Sequence, residues 1–295
     1  MFCLGFMPDH EVCMAALPTV AGDYPLEAAV LHTSLGAAVA VASMPFTMAL
    51  DSVQSLRHQR LHMSERIRAQ SLEGASQDEQ ERVAAERASE RLRAELDDPE
   101  AFKAHMQQVV RRLEGFLGRH EAAVHQLNSE ALVMIWGAFE VFATDTIRRR
   151  INLRPMDGVR LASEEPARRR INLKTVPFAE LAELGFDMRN QMGDLVLTNV
   201  NLSSLETLKD IISVVLPGAD ELHRTLRNPE LRRLWKRRNL IAHRGGIVDR
   251  AFLKSGVDDV PLGNRLIVKR AAIETSLEAV LAAAHALLSA LKDAE

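Results

Sequence analysis

Residues 131–150 read ALVMIWGAFEVFATDTIRRR, and this stretch decides the fold. Leu132, Ile135, Trp136, Phe139, Phe142 and Ile147 recur at the three- and four-residue spacing of one helical face, which makes this the most apolar helix of the chain and the expected core helix. Before it, Asn128-Ser129-Glu130 reads as a helix start, so a preceding helix is expected to close near Leu127. That earlier helix opens at Asp98-Pro99-Glu100, where a capping side chain, a proline at the first helical position and a first-turn acid coincide. Beyond residue 150 the pattern breaks. Pro155, Gly158, Pro166, Pro177 and Gly185 cut residues 151–200 into short pieces, and the hexapeptide RRRINL occurs twice, at 148–153 and 168–173. Two copies do not make a solenoid, so the region reads as an irregular insertion, a duplicated loop.

Regular helices then resume. Ser203-x-x-Glu206 is a capping box that opens LETLKDIISVVL, stopped at Pro217-Gly218. Asn228-Pro229-Glu230 opens ELRRLWKRRNLIAHR, which Gly245-Gly246 ends. Residues 256–268 read as a small hairpin or an irregular loop. The chain closes with Ile273, Leu277, Val280, Leu281, Ala284, Leu287, Leu288 and Leu291 at helical spacing.

Composition agrees. Only 4% of the 295 residues are aromatic while Ala, Leu, Glu and Arg dominate, a usage that favours helices over the β-branched and aromatic strands of a sandwich or barrel. The fold class expected is all-α, with an antiparallel helical bundle over residues 98–295 and an N-terminal helical extension over 1–97. Residues 64–100 carry eleven acids against six bases with sparse large apolar positions, so they read as a solvated helix or linker leading to a boundary near residue 98. Two cysteines, Cys3 and Cys13, exclude a disulfide framework and suit a reducing, cytoplasmic setting. The first 25 residues hold no Lys or Arg, so they lack the basic region of a secretory or mitochondrial leader. Residues 28–50 carry no Asp, Glu, Lys or Arg and are long enough to span a bilayer. Their Ala-rich make-up, with His32, Ser43, Pro45 and Thr47, favours a buried or capping helix over a membrane span.

Charge is balanced overall, at −3, yet residues 224–250 hold nine Lys and Arg against two acids. A concentration of +7 in such a chain points to a polyanionic partner. Within it stands LWKRRNLIAHRGGIVDR (234–250), where Arg238, Asn239 and His243 form R-N-x-x-x-H near a helix end. The bare spacing is uninformative, because Arg57/His62 and Arg119/His125 reproduce it or a close variant. The wider context distinguishes this copy: R-R-N-x-I-A-H-R-x-G-x-V-D over 237–249, basic flanks, and an apolar helix bearing Ala138-Phe139-Glu140. In these features the chain resembles the HEPN superfamily, and most closely its RiboL-PSP-HEPN branch, over residues 100–295. The resemblance implies a HEPN-like bundle and a homodimer whose two motif helices meet in one basic cleft. It also implies endoribonuclease activity of the toxin–antitoxin or antiphage-defence type, with an antitoxin or nucleotidyltransferase as a further partner.

The residues suit that chemistry. A histidine titrates near neutrality (pKa about 6.5), so His243 is a candidate to take the proton of a ribose 2′-OH or to protonate the departing 5′-oxygen. Arg238 stays charged and is a candidate to hold the phosphate as negative charge builds. Neither role needs a metal or cofactor, and none is expected. Arg233, Lys236, Arg237 and Arg244 are the candidate RNA-phosphate contacts. Five residues on a helix place Arg238 and His243 about 140° apart around the axis, so one chain makes an incomplete site. Each residue also has a plainer reading. His243 suits a helix C-terminus as a cap, Arg238 suits a solvated surface, and Asn239 suits either the Gly-Gly turn or the orientation of His243. Glu140, among Trp136, Phe139 and Phe142, needs a partner and is expected to pair with Arg238 or another base of the motif helix. The Arg148–150 and Arg168–170 triplets read as phosphate guides or as solvated helix ends. No phosphate-binding loop, zincin helix or serine-nucleophile elbow is present; His58 and His62 lack a third ligand, and the aromatic content is too low for a base-stacking platform. The rival class is a non-catalytic helical scaffold that binds RNA or protein.

Overall fold

The computed structural model describes residues 15–17, 19–69, 76–171, 178–183, 185–198 and 200–294. Cys3, Cys13 and the last two residues of the second RRRINL copy lie outside them. Among the described residues every regular element is helical, and the one β-type contact is an isolated antiparallel bridge between Ile247 and Arg265. The chain divides into two compact units: the described residues up to Val41 with Asn128–Glu295, and Ala42–Leu127. The joint marked by Asp98 is internal to the second.

Helix α1 (Pro25–Ala69) runs through both units and carries Pro45 inside it. In the first unit Ala28, Leu31, Leu35 and Ala38 form its buried stripe, while Leu26 and Val30 face outward. In the second unit α1 joins α2 (Gln77–Asp97) and α3 (Pro99–Arg119). Ser76 and Asp98 cap these two helices by accepting the N–H groups of Glu79 and Ala101, at 3.3 and 2.7 Å. Ala49, Val53 and Val109 form the small core here, with Phe46, Leu50, Met106 and Leu113 against it. Ion pairs add to it: Arg57 grips both oxygens of Glu95 (2.8 and 2.7 Å), and Glu65 receives Arg68 and Arg91. Among the described residues two helices, Pro25–Ala69 and Arg270–Asp293, are long and apolar enough to cross a membrane; 61% of the apolar window of the second is buried in the protein and 28% of that of the first.

Helix α4 (Glu121–Leu153) is the core helix, and Leu132, Ile135, Trp136, Phe139, Phe142 and Ile147 are all buried as its periodicity requires. Its start differs from the expectation. The break falls at His120, and the helix passes straight through Asn128 and Ser129. These two polar residues serve packing here: Asn128 is buried and donates its amide to the Val268 carbonyl, 140 residues on, at 3.0 Å.

After α4 come α5 (Pro155–Ser163), a 3-10 turn at Ala167–Arg169, α6 (Phe178–Glu183) and α7 (Met192–Leu197). The first RRRINL copy ends α4, with Arg150 buried against Asp157 at 3.1 Å; the described part of the second lies in the 3-10 turn and just after it. The four residues described in both copies thus take different structures, because only the first copy continues a long helix. Gly193 brings α7 against α4: Asn152 accepts its N–H at 2.6 Å, and a Cβ there would run into the Arg148 carbonyl oxygen.

Helices α8 (Leu205–Val215), α9 (Asp220–Leu226), α10 (Pro229–Arg244), α11 (Arg250–Ser255) and α12 (Arg270–Asp293) complete the chain. Ser204 caps α8, one residue later than the capping box places it. Asn228 and Pro229 start α10 as expected, and Asn228 accepts the Glu230 N–H at 2.9 Å. The eight apolar positions expected on α12 are all buried, and α9 and α10 pack on this helix.

Candidate functional site

Helix α10 carries the motif, and its three faces explain where each side chain goes. Leu231 and Leu234 are buried, and Arg238 continues their i, i+3, i+7 stripe. The guanidinium is therefore turned inward rather than into solvent. Its Nη2 meets Glu140 of α4 at 3.3 Å, and its Nη1 donates to Asn239 Oδ1 at 3.0 Å. Both ionic side chains are about three-quarters shielded, at 21% and 25% exposed. Burial raises the Glu140 carboxyl above its ordinary value, with the Arg238 charge opposing. The carboxylate expected to need a partner has the expected one, 98 residues away in sequence.

The second face holds Arg233 and Arg237. Arg237 grips Asp258 through two bonds of 2.8 and 2.6 Å and is only 16% exposed. Arg233 pairs with Glu230 and donates to the Val257 carbonyl at 2.9 Å. These two bases, expected at the RNA phosphates, tie the 256–268 segment to α10. Arg232 holds the end of the helix Arg250–Ser255 through the Ser255 carbonyl at 3.0 Å.

The third face is open. Lys236, Asn239, His243 and Arg244 line a recess of about 190 Å³, closed on the other side by Asp249 and Phe252. Lys236 lies 4.2 Å from the centroid of the Trp235 ring, so its ammonium is held close to the helix. His243 is exposed. It makes no capping hydrogen bond: the helix is closed by the glycines, with Gly245 N–H donating to Ile241 and Gly246 N–H to Leu240. Gly245 and Gly246 adopt φ of +58° and +79°, conformations that suit glycine at this turn. Asn239 bonds neither the turn nor His243; it accepts from Arg238 and so links the inward arginine to the recess.

Beyond the turn, Val248 N–H donates to Asn264 and Leu266 N–H to Gly246, which fixes the 256–268 segment as a short irregular arm beside the motif. Asp249 caps α11 through the Phe252 N–H (2.8 Å) and meets Arg244 at 3.5 Å. The recess thus contains one acid and three potential bases, and Arg238 is not among its lining residues. Asp258 is a structural partner that the sequence reading missed; no periodicity connects a loop acid with arginines 21 and 25 residues earlier. Five of the six triplet arginines are also paired with acids: Arg148 with Asp145 and Asp194, Arg150 with Asp157, Arg168 and Arg169 with Glu165, and Arg170 with Asp210.

The chain matches no family model, and it shows no match to curated proteins or to solved structures.

Proposed function

We propose that this protein is a metal-independent endoribonuclease of the HEPN kind. The observation that carries the reading is the linked pair on α10, in which Asn239 lines a basic recess with His243 while accepting a hydrogen bond from Arg238. His243 would take the 2′-OH proton and later protonate the 5′-oxygen that leaves. Internal attack of the 2′-oxygen on phosphorus yields a 2′,3′-cyclic phosphate and a 5′-hydroxyl, and DNA is then no substrate. Lys236 and Arg244 line the recess and would receive phosphates from its open side.

A recess of about 190 Å³ falls below the roughly 300–1,000 Å³ of sites that enclose a small ligand. One copy therefore does not surround a nucleotide. A homodimer that sets two α10 helices against each other would complete the cleft, so that the recess of one copy meets phosphate held by the other. In this reading the cellular role is growth arrest or antiphage defence in the cytoplasm, with an antitoxin or nucleotidyltransferase as restraint. The scaffold reading is favoured by one feature: Arg238 is turned inward onto Glu140 and does not line the recess with His243.

Cleavage of mixed-sequence RNA in excess EDTA, by wild type and His243→Ala, separates them. Cyclic-phosphate ends from wild type alone are expected, with dimerisation unchanged in the variant. Equal cleavage by both proteins would place the activity elsewhere, and RNA binding without cleavage by either would favour the scaffold.

A further inference from the structure

A cavity of about 510 Å³ opens in the first unit where the first turns of α1 meet the C-terminal half of α4. Leu26, Val30, Val141, Phe142 and Leu153 give it apolar walls. Its polar groups can be taken one at a time. Arg148 meets Asp145 at 2.5 Å and Asp194 at 3.3 Å. Asn152 accepts the Gly193 N–H and donates to Asp194 at 2.9 Å, while Asn190 donates its amide to Asp187 at 2.8 Å. Two ionic groups are left over. Glu27 is only 9% exposed, and its Oε2 atom is closed to solvent with no hydrogen-bond partner among the described residues. Arg149 is exposed, 5.9 Å from the centroid of the Tyr24 ring, with no carboxylate partner among the described residues. Glu27 and Arg149 line the same cavity without pairing with each other.

Glu27 lines the cavity and no cation among the described residues pairs with its charge, so a ligand ammonium at the open side of the carboxylate is a direct remedy. We infer that this cavity binds a small zwitterion of the apolar amino-acid type. Its ammonium group donates to Glu27, its carboxylate meets Arg149, and its side chain packs against Val30, Val141 and Phe142. The volume lies in the range of small-molecule sites. A nucleic-acid strand is a poor occupant, because the buried Glu27 carboxylate would face its phosphates. The site shares no lining residue with the α10 recess, and it stands whether or not the chain cleaves RNA.

Isothermal titration of the full chain with L-leucine, L-methionine and L-valine tests the inference, with isoamylamine and 4-methylpentanoate as leucine analogues that each lack one charged end. At least one amino acid is expected to bind with a Kd of about 1 mM or tighter. For leucine, each one-ended analogue is expected to bind at least about tenfold more weakly, as is leucine to Glu27→Gln or to Arg149→Gln. Arg149 is on the surface, so its variant keeps the test valid if the Glu27 change disturbs folding. Absence of binding by all three amino acids overturns the inference. So does an analogue that binds as well as leucine, or undiminished amino-acid binding by both variants.

Discussion

Replacing Glu140 by Gln separates what the Arg238 contact does for stability from what it does for position. The two groups lie 3.3 Å apart, and unit charges at that distance attract by about 5 kcal/mol at an effective dielectric near 20. Removing a carboxylate and a guanidinium from water costs several kcal/mol per ion, on the order of the attraction itself. Glu140 reports which effect wins: burial raises its carboxyl above the ordinary 4.5 against the pull of Arg238. Its charge is thus a net cost in the folded state, and an amide of the same shape removes that cost while keeping a carbonyl acceptor for Arg238. The Glu140→Gln protein is expected to melt within about 3 °C of wild type at pH 7, corresponding to under about 1 kcal/mol for a unit of this size. The pH dependence has a definite sign. Stability from a raised group is fully present below its ordinary value and is lost as pH rises through the folded one, so wild type falls relative to the Glu140→Gln protein over that window. RNA cleavage is expected to drop about 10- to 100-fold, because an uncharged partner fixes the guanidinium less firmly. Thermal unfolding by circular dichroism across about pH 4–7, with cleavage assays alongside, reads both effects. A melting temperature lowered by more than about 8 °C at pH 7, or superimposable pH profiles, would refute the reasoning.

Gly193→Ala drives a methyl group into the Arg148 carbonyl and should cost about 1–3 kcal/mol, read as a lower urea midpoint with an unchanged slope. Asp258→Ala leaves the mostly buried Arg237 without its carboxylate and should cost about 2–3 kcal/mol; adding Arg237→Met should recover part of it, which a double-mutant cycle in thermal melts would show. In the second unit Arg57 holds Glu95 below its ordinary 4.5, so the stability of that pair is present above this value and lost as pH falls through the lowered one. Arg57→Ala should cost only about 0.5–1 kcal/mol at pH 7, given the exposure of both side chains, and its deficit should shrink in acid.

Where local pattern and tertiary packing agree, the elements could be read in advance. The stripe 132, 135, 136, 139, 142 and 147 is buried because one helical face has one period, and Asp98, Asn228 and Gly245 end or begin helices because their caps are local chemistry. Asn128 shows the limit. Its local signal is a helix start, yet a buried hydrogen bond to Val268 lets the helix run through it. The duplicated RRRINL makes the same point, since six residues do not specify whether the chain before them is already helical.

The candidate site divides in the same way. The sequence alone determined that a basic, glycine-terminated helix carries Arg238, Asn239 and His243, that Arg238 and His243 point about 140° apart, and that Glu140 needs a cation. Those are properties of one helix or one residue. Only the tertiary structure decided which cation Glu140 takes, which bases Asp258 removes from solvent, and which side chains are left to line the recess with His243. The reason is physical: a helix fixes directions about its own axis, whereas burial and ion pairing depend on what other segments bring to each of those directions.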